Sequence, residues 1–111
     1  MNLPIQQCGA VSVVRPAGPL TRAEAEDFKR QMLDLIQRNF GRVVLDASAV
    51  PYVDSPGLES LVDLTRQLAL GGMALKLCAA NETLRQVIEL TGLCSQFEQF
   101  EDTNAAIRSF L

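Results

Sequence analysis

Arg42-Val43-Val44-Leu45-Asp46-Ala47-Ser48-Ala49-Val50-Pro51-Tyr52-Val53-Asp54-Ser55-Pro56-Gly57-Leu58 is the stretch whose reading decides the fold. Arg42–Asp46 is a short, nearly continuous apolar run. Such a run predicts a strand buried on both faces, as in sheets covered by helices. Ser48–Val53 reads as a loop broken by Pro51, and Asp54–Leu58 opens a helix. Leu58, Leu61, Val62, Thr65, Leu68 and Ala69 recur at helical spacing and form its expected buried stripe, with Gly71-Gly72 as the stop.

The same alternation extends in both directions. Ile5–Cys8 and Val11–Arg15 are rich in β-branched residues and separated by Gly9-Ala10, which predicts a hairpin. Pro16-Ala17-Gly18-Pro19 ends the second strand, because proline has no ladder donor. Thr21-Arg22-Ala23-Glu24 is a capping-box sequence, with the Thr21 hydroxyl expected on a first-turn N–H. A helix follows from about Thr21 to Asn39, with Ala25, Phe28, Met32, Leu35 and Ile36 inward, ended by Gly41. Met73–Ala79 predicts another buried strand, with Lys76 its only charge. Asn81 is placed to cap a third helix carrying Leu84, Val87 and Ile88 and stopping at Gly92. Phe97–Phe100 reads as a short edge strand, and Asp102 or Thr103 as the cap of a last helix with Ala106, Ile107 and Phe110. The order β-β-α-β-α-β-α-β-α predicts an α/β fold: one mixed sheet flanked by about four α-helices, with right-handed crossovers, in a single domain over 1–111.

Composition narrows the function classes. With 111 residues, 48 % apolar and 21 % charged, the chain can build a core without staples. The net charge of −3 and the scattered Lys and Arg argue against nucleic acid, whose readers carry basic patches. Cys8, Cys78 and Cys94 are odd in number and form no CxxC pair, and Cys78 in its apolar run reads as a small buried hydrophobe. No disulfide framework is expected, which fits a reducing cytoplasm. Met1–Ile5 lacks signal-peptide regions, and no apolar run approaches the roughly 20 residues that span a bilayer. The expected protein is a cytoplasmic one, monomeric when free, with no membrane insertion.

Catalytic chemistry has little to stand on. There is no histidine, which removes the commonest general base and metal ligand. No Cys cluster has zinc spacing, and neither GxxxxGK[ST] nor GxGxxG occurs. Glu26/Asp27 and Glu101/Asp102 read as solvated carboxylates. The expectation is a protein that is not an enzyme and holds no cofactor or metal.

Asp46 and Asp54 flank the loop at the carboxyl end of a buried strand, where ligands and partners of parallel sheets are met. Asp46 serves equally well as a turn-former that bonds its own loop backbone. Proline after Ser55 biases that serine toward extended angles, which suit an N-cap, and Pro56 suits the first helical position. Local chemistry therefore makes Ser55 a helix cap. The same position tolerates a phosphate, since a helix N-terminus offers free N–H donors and positive dipole, although Asp54 would repel the added charge.

The motif Val44–Leu58, a buried strand ending in Asp, a short loop, then Asp54-Ser55-Pro56-Gly57-Leu58, resembles the signature of STAS domains, the sulfate-transporter and anti-sigma-factor-antagonist fold. The resemblance extends over essentially the whole chain. It implies a stand-alone anti-sigma-factor antagonist whose serine after the Asp, here Ser55, is phosphorylated by an anti-sigma-factor serine kinase. The unphosphorylated form then binds that partner and frees a sigma factor, and a phosphatase reverses the mark. Asp54, Ser55, Pro56, Gly57 and Asp46 become the implied partner-binding residues, and the kinase brings ATP and Mg²⁺. Pro56 departs from the family pattern, which often has Ser there, and removes one possible phosphate donor. The alternative the family offers is an accessory subunit of a membrane-lipid ABC transport complex, in which Ser55 only caps its helix. A small-ligand sensor ranks below both.

Overall fold

The chain opens as a hairpin in which β1 (Ile5–Cys8) and β2 (Val11–Val14) pair antiparallel, Ile5 opposite Val14 and Cys8 opposite Val11. Gly9 takes the turn at φ 62°, a backbone conformation that costs glycine little. The computed structural model describes residues 3–92 and 94–111; Met1, Asn2 and the Cys94 side chain, about which the sequence raises expectations, lie outside the described residues. From β2 onward strands and helices alternate: α1 (Arg22–Arg38), β3 (Val43–Asp46), α2 (Ser55–Leu70), β4 (Leu75–Cys78), α3 (Glu82–Leu90), β5 (Phe97–Phe100) and α4 (Thr103–Arg108). A 3₁₀ turn at Cys94–Gln96 leads into β5.

The sheet order is β1-β2-β3-β4-β5, and every pair after the hairpin is parallel. Strands added in chain order in one direction, through crossovers of one hand, place their connecting helices on one face. That face holds the main core. Phe28, Met32 and Leu35 of α1, Leu61, Leu64 and Leu68 of α2, and Leu84 and Ile88 of α3 cover Val14, Val43, Leu45, Leu75, Leu77 and Phe97. The chain leaves β5 at the sheet edge, so α4 is free to fold beneath. Its Ala106 and Ile107, with Phe110, cover Val11, Val13, Val44 and Cys78 on the second face. Covering on both sides explains why β3 reads as an uninterrupted apolar run.

The stripe of α2 differs from the sequence expectation. Gly57, Ser60, Leu61, Leu64, Thr65 and Leu68 are buried, while Leu58 and Val62 are half-buried and Ala69 is exposed. Gly57 sets this rotation. A Cβ at that position would fall inside contact distance of the Leu20 carbonyl oxygen, so only a glycine lets the helix start lie against the 20s loop. Turning Gly57 inward carries Ser60 and Leu64 inward with it.

Lys76 also has a resolved environment. Only 8 % exposed, it reaches Glu98 Oε2 at 3.2 Å and lies over the rings of Phe110 and Phe100, 4.5 and 5.5 Å from their centroids. A lysine on the second sheet face is thereby paired and packed along its stem.

Leu61, 1 % exposed in the centre of the main core, should be among the costliest truncations on α2. Leu61→Ala is expected to lower unfolding free energy by about 2–5 kcal/mol in a denaturant melt; a loss under ~1 kcal/mol would place the residue outside the packed core. Cys78 gives a chemical check. Burial pushes its thiol pKa up; the hydrogen bond with the Thr103 hydroxyl opposes this in part, and the nearby Asp46 and then Asp102 carboxylates add to the rise. The thiolate is the reactive species, so Cys78 should resist alkylation at neutral pH until the protein is unfolded. Peptide mapping that finds Cys78 labelled at native conditions would contradict its burial.

Candidate functional site

The loop between β3 and α2 is held from three sides. Asp46 Oδ1 accepts from the Ser48 N–H at 2.9 Å, which is the turn-forming role its position allows. Arg15 Nε donates to Ser48 Oγ at 3.1 Å and lies 3.9 Å from Asp46 Oδ2. On the other flank the loop after β2 runs alongside as a one-residue parallel bridge, Leu20 to Val53. There the Gly18 N–H donates to the Ala49 carbonyl, the Leu20 N–H to the Tyr52 carbonyl and the Asp54 N–H to the Leu20 carbonyl. From the third side Asn81 Nδ2 donates to the Pro51 carbonyl at 3.0 Å. Asn81 Oδ1 meanwhile caps α3 by accepting from the Leu84 N–H at 2.8 Å.

The start of α2 departs from the sequence expectation in a way that matters. Asp54, not Ser55, is the N-cap: its backbone is extended, at φ −94° and ψ −177°, and its Oδ1 accepts from the Gly57 N–H at 2.8 Å. Ser55 is the first helical residue and Pro56 the second. The bias that proline imposes on its predecessor yields here because a carboxylate one residue earlier caps as well as serine does and is itself free to be extended. Asp54 does more. Its Oδ2 accepts from the Arg22 N–H at 2.9 Å, so one carboxylate caps α2 and satisfies the first N–H of α1. The capping box expected at Thr21 is therefore not formed. Thr21 makes no side-chain cap bond, and its hydroxyl instead donates to Glu24 Oε2 at 2.6 Å. Two positive helix ends converge on this single negative group, an arrangement the dipoles favour.

Ser55 is consequently exposed, and its hydroxyl caps nothing. Tyr52, 52 % exposed, stands just before it, Pro56 and Leu58 are half-buried, and Glu59 is exposed one turn along. Beside them lies a shallow cleft of about 150 Å³ between α1 and α2, lined by Arg22, Lys29, Pro56, Glu59 and Asp63 among others. It is smaller than the roughly 300 Å³ at which small-molecule sites begin. Lys29 bridges the two helices there, 3.3 Å from Asp63 Oδ2 and 3.5 Å from Glu26 Oε1; Asp63 and then Glu26 raise its pKa. A larger groove, about 440 Å³, lies elsewhere, where the end of α2 meets β4 and β5, with Met73, Lys76, Gln96 and Phe110 in its walls.

Asp54, Ser55, Pro56 and Gly57 thus share one helix start, in which Ser55 is exposed, Asp54 and Pro56 are half-buried and Gly57 is buried. Asp46 is not brought to it. Its contacts are Ser48 and Arg15, and it lines a separate cleft with Gln6, Val13 and Thr103. Sequence reasoning missed the Leu20 carbonyl, the Arg22 N–H and the second bond of Asn81, since these are pairings across 30 residues or more with no local signal. Among the described residues, no three His, Cys, Asp or Glu side chains converge to hold a metal ion, and no helix is long and apolar enough to cross a membrane. The Ser55 hydroxyl can donate or accept a hydrogen bond and can receive an acyl or phosphoryl group from an external catalyst.

Comparison with known proteins bears on the fold and the family. BtrV of Bordetella bronchiseptica, named as an anti-sigma factor antagonist, is 26 % identical over 110 residues, spanning 99 % of this chain and 95 % of that one. The crystal structure of the Thermotoga maritima protein tm1081, also named as an anti-sigma factor antagonist, superposes with a TM-score of 0.86 at 22 % identity, over 96 % of this chain and 92 % of that one. Bacillus SpoIIAA in its phosphorylated form gives a TM-score of 0.72 at 18 % identity, over 97 % and 99 % of the two chains. These two superpositions establish the shared fold. The STAS domain model matches residues 2–106, nearly the whole chain, and the chain belongs to the STAS domain family.

Proposed function

We propose that this protein is an anti-sigma-factor antagonist, a non-catalytic switch whose docking surface is the start of α2 and whose regulated group is Ser55. The observation that carries the reading is the division of labour at the helix start. Asp54 does the capping, so Ser55 sits exposed with no structural duty for its hydroxyl. A serine in that state is free to be modified without loss of the fold. The names borne by BtrV, tm1081 and SpoIIAA, the last solved in both unphosphorylated and phosphorylated forms, support the same role.

In this reading the unmodified surface, Tyr52 with Asp54, Ser55, Pro56 and Gly57, docks on an anti-sigma-factor serine kinase. Asp46 contributes from behind, by shaping the loop. The kinase supplies ATP and Mg²⁺. Ser55 Oγ attacks the γ-phosphorus, the bond to the leaving ADP oxygen breaks, and the hydroxyl proton passes to a base on the kinase, since this chain has no histidine to take it. The product carries about −1.5 to −2 new charges at the docking surface. Burying them against a partner without a matching cation is costly, so the complex dissociates. A phosphatase, by adding water across the ester, restores the binding form. The free protein acts in the cytoplasm as a monomer. Service on the ATPase of a lipid transport complex would need no free hydroxyl at this position, which is why the antagonist reading is preferred.

Three variants separate binding from stability. Ser55→Ala removes no cap and should change stability by less than about 0.5 kcal/mol while still binding the kinase. Ser55→Asp should be equally stable yet bind at least about tenfold more weakly, a difference of ~1.4 kcal/mol. Asp54→Ala strips a cap from α2 and a partner from α1, and should cost about 1–3 kcal/mol. Calorimetric titration against the purified kinase, alongside denaturant melts, reads both quantities. Wild-type affinity in Ser55→Asp, together with no phosphate on Ser55 after incubation with kinase and ATP, would sink the switch and leave a constitutive docking role.

A further inference from the structure

The start of α2 has almost nothing left with which to hold a phosphate. A helix N-terminus ordinarily presents its first free N–H groups to an anion. Here the second helical residue is Pro56, which has no N–H. The third N–H, of Gly57, is held by Asp54 Oδ1 at 2.8 Å, and the Leu58 N–H closes the first helical turn on the Asp54 carbonyl at 2.8 Å. The Arg22 N–H, the donor that α1 could offer across the junction, is held by Asp54 Oδ2 at 2.9 Å. Only the N–H of Ser55 itself remains. The carboxylate that seals these donors also sits one residue from Ser55 and repels a second anion.

Resting on the reading of Ser55 as the phosphoacceptor, we propose that Pro56 and Asp54 together deny the phosphate an intramolecular receptor. The modification therefore neither stabilises nor rearranges the domain. It stands outward as an unneutralised charge, available in full to repel a partner and open to a phosphatase. Pro56 is then a regulatory residue: a residue with an N–H at this position would let α2 draw the phosphate down and partly neutralise it. Among the described residues lining the neighbouring cleft, Arg22 is the exposed cation.

The test uses the full chain with phosphoserine installed at position 55 by an expanded genetic code, so no kinase is involved. ³¹P NMR titration and thermal melts are run on wild type, Pro56→Ala and Arg22→Ala, each with and without the phosphate. In wild type the second phosphate pKa should lie at or above about 6, with Tm unmoved by the modification. In Pro56→Ala that pKa should fall by about half a pH unit or more, and phosphorylation should raise Tm, because an N–H now favours the dianion. A wild-type phosphate pKa well below 6, or a phosphate-dependent rise in wild-type Tm, overturns the proposal. If Arg22→Ala then abolishes that lowering, the receptor is the guanidinium. Unchanged titration in Pro56→Ala removes Pro56 from the mechanism. Failure of a kinase to modify Ser55 would instead defeat the phosphoacceptor reading, and would leave these titrations as they stand.

Discussion

The Asp54 carboxylate joins two helix starts, and the candidate site depends on that junction. One oxygen accepts from Gly57 at the head of α2, the other from Arg22 at the head of α1. Each helix begins with N–H groups that have no partner within the helix, and each carries partial positive charge at that end. Bringing two such ends together would be unfavourable without an anion between them. Asp54 supplies it, and Gly57 permits the approach by leaving room for the Leu20 carbonyl. The same contact sets the rotation of α2, which decides which of its residues enter the core.

The consequence for function is a separation of tasks among adjacent residues. Asp54 carries the structural duty and Gly57 the steric one, which leaves Ser55 exposed between them with a hydroxyl free of both. The loop before it is ordered by backbone bonds to the 18–20 segment and by the Asn81 amide, so the surface around Tyr52 and Ser55 is presented in a defined shape. In the proposed role, a partner would meet this surface already formed, with little ordering needed on binding.

The parallel sheet explains why this surface lies where it does. β2, β3 and β4 all end on one side, and the loops that follow them converge: Pro16–Leu20, Ala47–Asp54 and Ala79–Asn81. The first holds the loop before Ser55 through three backbone bonds and the last through the Asn81 amide. The opposite end of the sheet carries the groove beside Met73 and the Lys76 pair with Glu98.

Much of this was determined by the sequence alone. Periodicity, the glycine stops and the caps at Asn81 and Asp102 are local signals, written within three or four residues, and they place the elements and their order. The Asp-Ser-Pro-Gly motif likewise marked the helix start. Only the tertiary structure decided which residue there does what. Serine and aspartate are both good caps, so local chemistry could not choose between Asp54 and Ser55. The choice follows from Arg22, whose N–H approaches from 32 residues away, so that one group serving both it and the Gly57 N–H needs two acceptor oxygens. The stripe on α2 was misread for a related reason. Apolar spacing fixes a helical period but not its rotation, and the rotation came from a backbone contact, Gly57 against Leu20, that no hydrophobic pattern records.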